Sequence, residues 1–144
     1  MAQQGKHSEE GSQPASTSSA LVRMADQNQL DFEIEFFDGI LNRYPNFVDV
    51  LRVQGNNLTL KGRYLEGLQI DKRIVQLRPE DPLAHYNLAC SFALLNRTDH
   101  AIDNLRRAVE LGYRDFRYLR EDRDLDSIRQ DPRFRELLTE YESE

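Results

Sequence analysis

From Leu30 onward the apolar residues recur at spacings of three and four, the period of one face of an α-helix. In LDFEIEFFDGILNRYP the set is Phe36, Phe37, Ile40, Leu41 and Tyr44, and Pro45 stops the run. FVDVLRVQGNNLTL, GRYLEGLQIDKRIVQLRP, PLAHYNLACSFALL and TDHAIDNLRRAVELG follow as further segments of helical length. Gly62, the turn from Pro79 to Pro82, Asn96 and Gly112 separate them. Asp81-Pro82 and Asp131-Pro132 each pair an N-cap carboxylate with a proline at the first helical position, where a missing N–H leaves no bond unmade. No stretch sustains the alternation of a strand, so the fold class is all-α, built of antiparallel helix pairs. The opening residues, MAQQGKHSEEGSQPASTSSA, have almost nothing to bury, and a disordered tail is expected over 1–28.

The helical segments repeat. Pro45 recurs as Pro79, thirty-four residues on, and the same offset carries Gly55 to Ala89, Leu58 to Phe92, Gly62 to Asn96, Gly67 to Ala101 and Ile74 to Ala108. Small residues replace small ones, apolar replace apolar, and turn formers replace turn formers. Close helix packing explains the pattern: a small residue at 55 or 89 lets the second helix of a pair approach the first, and one at 67 or 101 does the reverse. One pair cannot cover its own apolar faces, so successive pairs must stack.

With this period and these positions the sequence resembles the tetratricopeptide repeat (TPR) family. Leu88-Ala89, Phe92, Ala101, Leu105 and Ala108 carry the resemblance over 82–115, and Leu51, Gly55, Leu58, Gly67, Ile74 and Pro79 carry it over 48–81. The resemblance implies a TPR-like α-α superhelix in a domain of residues 29–144. It holds about two full repeats, a preceding partial repeat over 30–47 and capping helices over 116–144. Three residues depart from the family pattern: Asp71 stands where a large apolar residue is usual, Tyr113 where proline is, and His85 where an aromatic is. The closing stretch resembles the segment that follows the last repeat in many bacterial TPR proteins. Short helices are expected over 116–121, around 125–128 and from 132 to about 141, with Phe116, Leu119, Leu125, Ile128, Phe134, Leu137 and Leu138 buried against the last repeat.

Charge narrows the function. The chain has 19 basic and 25 acidic side chains and a net charge of -6, which argues against binding nucleic acid through its phosphates. Its single cysteine cannot form an internal disulfide. No apolar run is long enough for a membrane helix, and the N-terminus lacks the apolar region of a signal peptide, so the cytoplasm is the expected compartment. Cys90, His85 and His100 cluster in sequence, yet no spacing supplies the ligands zinc needs or a base beside a thiol nucleophile. No catalytic residue, metal or cofactor is expected. Near the C-terminus Arg114, Arg117, Arg120 and Arg123 interleave with Asp115, Glu121, Asp122 and Asp124, so local charge nearly cancels and a salt-bridged, solvated cap is expected.

In the architecture that the resemblance implies, the first helix of each pair lines an inner groove. The candidate binding residues are then Arg52, Asn56, Thr59, Tyr86, Asn87 and Cys90, with Arg117 added by the closing helix. The expected function is a non-catalytic interaction module or scaffold holding a peptide segment of a protein partner, as a monomer or weak homo-oligomer. Two alternatives stand beside it. Arg52, Asn56, Asn87 and Arg117 fall at positions similar to the clamp of co-chaperone TPR domains, which grips a C-terminal carboxylate. The aromatic residues Phe32, Phe36 and Phe37 on the first helix would instead serve self-association in an assembly protein.

Overall fold

The computed structural model describes residues 12–142. Seven α-helices follow in order: α1 Ser12–Arg43, α2 Val48–Leu60, α3 Tyr64–Leu77, α4 Pro82–Leu94, α5 Thr98–Glu110, α6 Phe116–Glu121 and α7 Pro132–Glu142. A 3-10 segment, Arg123–Ile128, joins the last two, and no strand occurs among the described residues. Each helix from α1 to α5 packs on the next in sequence, the 3-10 segment lies on α4 and α5, and α7 lies on α5. This is the TPR-like stack of helix pairs.

The turns inside the pairs are built alike because they solve one problem. After α2, Gly62 takes φ 82°; after α4, thirty-four residues later, Asn96 takes φ 58°; after α5, Gly112 takes φ 118°. Glycine and asparagine tolerate this left-handed region. The reversal lets the next residue reach back to the helix: Arg63 N–H bonds Leu58 O at 2.8 Å, Arg97 N–H bonds Phe92 O at 2.9 Å, and Tyr113 N–H bonds Ala108 O at 2.9 Å. Last-turn carbonyls that would otherwise be orphaned are thereby satisfied. At the opposite end Asp81 caps α4, accepting from Leu83 N at 2.9 Å. Asp131 does the same before α7, accepting from Arg133 N at 2.9 Å.

Close approach of α2 and α3 depends on Gly55. A Cβ there would sit 3.2 Å from Ile70 Cγ2 and 3.3 Å from Asp71 Oδ1. The main core gathers around α4 and α5, from Leu68 through Leu88, Ala89, Phe92, Ala101 and Leu105, and a smaller cluster joins Val48, Leu51, Ile74 and Ala84. All seven apolar residues expected under the cap are buried there, Leu119, Leu125, Ile128 and Leu137 completely.

At the N-terminal end the structure differs from the sequence reading. Residues 1–11 of the expected disordered tail lie outside the described residues, but from Ser12 the chain is helical and continuous into Arg43. No glycine or proline interrupts it between residues 15 and 38, so helix formation propagates from the packed part outward. Leu21, Val22 and Met24 on this extension are exposed, so the segment buries as little as its composition suggests and is helical nonetheless. The packed end also departs from the expected stripe. Ile34, 3% exposed, is its buried residue, whereas Phe36 and Tyr44 face outward. Gln54 of α2, fully buried, fixes that seating by donating to Ile34 O at 2.8 Å and Asp38 Oδ1 at 2.7 Å.

Candidate functional site

A groove of about 540 Å3 runs between α2, α4 and the segment from Tyr113 to Asp124. It exists because the first helices of both pairs turn the same register toward it. Arg52, Asn56 and Thr59 come from α2, and Leu83, Tyr86, Asn87, Cys90 and Leu94 from α4. The structure therefore brings six of the seven candidate residues together. The seventh, Arg117, is exposed on α6 and does not line the groove.

The far wall is made by residues that sequence reasoning left out. Tyr113, Asp115, Tyr118, Asp122 and Asp124 close the groove on the C-terminal side. They arrive there because the cap folds back onto α4, with Ser127 Oγ donating to Ala93 O at 2.7 Å. Tyr86 is the floor rather than a protruding anchor, with 2% of its surface exposed. Its ring stacks on Tyr113 at 4.4 Å between centroids and lies 6.1 Å from Tyr118. Its hydroxyl donates to Asp122 Oδ2 at 2.6 Å. Asp115, Tyr118 and Asp122 follow at i, i+3 and i+7, the spacing of one helix face, and this was the available signal.

The interleaved charges of the cap separate on folding. Asp122 is buried and Asp124 half-buried toward the groove, while Arg117, Arg120 and Arg123 are exposed. Arg120 pairs with Glu142 across the outer surface, and Arg129 donates to the carbonyls of Leu119, Arg120 and Asp122. The expected salt-bridged, near-neutral cap thus holds only for its outer face. Among the described residues the groove lining carries one cation, Arg52, against the four carboxylates Asp71, Asp115, Asp122 and Asp124.

Arg52 is itself engaged, in an ion pair with Asp81. Burial pushes the Asp81 carboxyl up, but the hydrogen bond and charge of Arg52 together with the backbone N–H groups of Leu83 and Ala84 outweigh it and hold the group below its ordinary range. The cations required by a carboxylate clamp are therefore not assembled: one is paired and the other lies outside the groove. Asp71, in the usual place of an apolar residue, accepts a hydrogen bond from Ser91 Oγ across α3 and α4. Burial pushes its carboxyl up to about 6, against the lowering by Ser91 and by the charge of Arg52.

Negative potential marks the other end. Burial, then the charges of Asp122 and Asp126, raise Asp124. The charge of Asp122, then burial, raises the Tyr118 phenol. Tyr113 is pushed up to about 12, chiefly by burial. The Cys90 thiol, buried and 3.6 Å from Asp122 Oδ2, is raised first by burial and then by that carboxylate. It stays protonated at neutral pH, which disfavours nucleophilic attack. Cys90, Asp122 and Asp124 do hold three donor atoms within 4.8 Å of one another. Asp122 is already occupied there by Tyr86 and by Asp124 N–H, which it accepts at 3.0 Å. Of the two described histidines, His85 is buried with Nε2 bonded to Pro79 O at 2.8 Å, and the exposed His100 stacks on Phe92 at 4.9 Å.

Repeat turns and stacked helix pairs together define a TPR-like helical-repeat fold. The fold superposes on "MamA 41-end from Desulfovibrio magneticus RS-1" with a TM-score of 0.66 and 18% identity, over 85% of this chain and 68% of that one. It also superposes on "MamA RS-1 ArsTM double mutant" with a TM-score of 0.57 and 20% identity, over 85% and 74%. In sequence the chain is 30% identical over 92 residues, 62% of its length, to a chloroplastic protein of Arabidopsis thaliana. The match spans 28% of that relative's length. No family model matches the chain. No helix among the described residues is long and apolar enough to cross a membrane.

Proposed function

We propose that the protein is a non-catalytic interaction scaffold that holds a peptide segment of a partner protein in its concave groove. The carrying observation is the groove itself: about 540 Å3, walled by side chains from α2, α3, α4, α6 and the 3-10 segment. Apolar surface from Leu83, Ile74 and Leu94 alternates there with the amides of Asn56 and Asn87. Such a lining buries side chains of an extended segment while bonding its backbone, a combination that suits peptides. The protonated, buried thiol of Cys90 supports the non-catalytic reading. Burial first, and then the charge of the neighbouring Asp122, hold the Cys90 thiol in its neutral form instead of activating it. Cytoplasm remains the proposed compartment; "chloroplastic" describes the Arabidopsis relative.

Affinity capture with two baits tests this function, the full chain and the same chain carrying Asn87→Trp, which fills the groove from α4. A partner held by the first and lost by the second supports it. Partners held equally by both would place binding elsewhere on the molecule.

Self-association remains a second reading, favoured by the exposed Leu21, Val22, Met24, Phe32 and Phe36 of α1. The cap covers one end of the stack, while these side chains at the other end have no apolar cover among the described residues. A second copy seated on them would make the apparent mass rise with concentration in sedimentation. A mass constant at one chain across the micromolar range ends that reading.

A further inference from the structure

We propose that the end of the groove walled by Tyr113, Asp115, Tyr118 and Asp124 receives the guanidinium or ammonium of an arginine or lysine in the partner's peptide segment. This rests on the groove being a peptide site and adds the chemistry of what the site selects.

Three observations converge on a cation. The first is one-sided charge. Asp115 and Asp122 flank α6, Asp124 lies in the first turn of the 3-10 segment, and none of the three forms an ion pair among the described residues. Arg117, Arg120 and Arg123, which cancel them in sequence, are exposed and do not line the groove. Arg52 lines the same groove but is paired with Asp81, so it does not neutralise this wall.

The second is aromatic geometry. Tyr113 and Tyr118 both lean on the buried Tyr86, at 4.4 and 6.1 Å between centroids, and Tyr118 keeps 53% of its surface exposed. A ring face beside carboxylates attracts a cation twice, through the ring quadrupole and through charge-assisted hydrogen bonds. The aliphatic stem of lysine or arginine would meanwhile cover tyrosine carbon. The third is stored repulsion. Asp124 is held up first by burial and then by the charge of Asp122, and the Tyr118 phenol first by the charge of Asp122 and then by burial. A cation placed there relieves that repulsion, whereas an acidic segment would add to it.

The test selects a displayed library of random heptapeptides on the immobilised full chain, then measures synthetic versions of enriched peptides by calorimetry. Enriched peptides are expected to share an arginine or lysine at one position and to lose binding to Asn87→Trp. Affinity should fall about tenfold, the loss of one charge-assisted contact, for the chain carrying Asp115→Asn with Asp124→Asn. Asparagine preserves the capping bond of Asp115 to Tyr118 N–H, so the cap should stay folded. Changing the peptide's arginine to citrulline, or its lysine to norleucine, should cause a similar loss without touching the protein. Peptides that Asn87→Trp blocks but that are neutral or acidic would overturn the cation proposal and leave the groove function standing. Enriched peptides indifferent to Asn87→Trp, or no enrichment at all, would overturn both.

Discussion

Replacing Asp71 by asparagine should stabilise the protein at neutral pH and leave it almost unchanged in acid. Asp71 is 8% exposed and accepts from Ser91 Oγ between α3 and α4. Burial raises its carboxyl to about 6, with Ser91 and the charge of Arg52 opposing the rise. In the unfolded chain the same group titrates near an ordinary value of about 3.9. Between those values the folded state binds more protons than the unfolded state, so stability falls as pH rises through the window and is lowest above about pH 6. Two pH units at 1.36 kcal/mol each put the cost of the buried charge at about 3 kcal/mol. The asparagine side chain keeps an oxygen for Ser91 and carries no charge. Asp71→Asn should therefore gain about 2–3 kcal/mol at pH 7.5 and well under about 1 kcal/mol at pH 4. Urea unfolding followed by circular dichroism at both pH values measures this, provided the denaturant slopes of the two proteins agree. An equal shift at both pH values, or a loss of stability at pH 7.5, would refute the reasoning. The second result would mean that attraction to Arg52 outweighs burial.

Three further outcomes follow from the geometry. Tyr86→Phe removes the hydroxyl that Asp122 accepts at 2.6 Å and should cost about 1–3 kcal/mol in the same unfolding assay; a neutral change would mean water replaces it freely. Leu125→Ala, at a fully buried position beneath the cap, should cost about 2–5 kcal/mol, and a cost below about 1 kcal/mol would show that the cap is not packed as described. Cys90 should react with a thiol reagent at pH 8 far more slowly than a free cysteine, at a rate that denaturant accelerates. Immediate labelling of the native protein would contradict its burial.

The helices and the repeat were legible because they depend on local rules. Gly62 and Asn96 mark the same left-handed turn and Asp81-Pro82 announces a helix start, each within a few residues of its effect, while Gly55 marks a close approach to the next helix. The groove was only half legible for the opposite reason. Its α2 and α4 wall follows from repeat register, but its acidic and aromatic wall depends on where the cap docks. Along the chain Arg117, Arg120 and Arg123 neutralise Asp115, Asp122 and Asp124, and only folding sends the two signs to opposite faces. Composition therefore suggested a neutral cap where the structure has a polarised one. The α1 extension was hidden similarly, since a helix continuing outward from a packed base needs no buried face of its own.

Hydrogen exchange of the full chain, alone and with a captured partner, tests the account most directly. Exchange should slow along the groove walls, in α2, α4 and residues 113–124, with α1 and α7 unchanged. Slowed exchange confined to α1, with the groove walls exchanging as in the free chain, would contradict it.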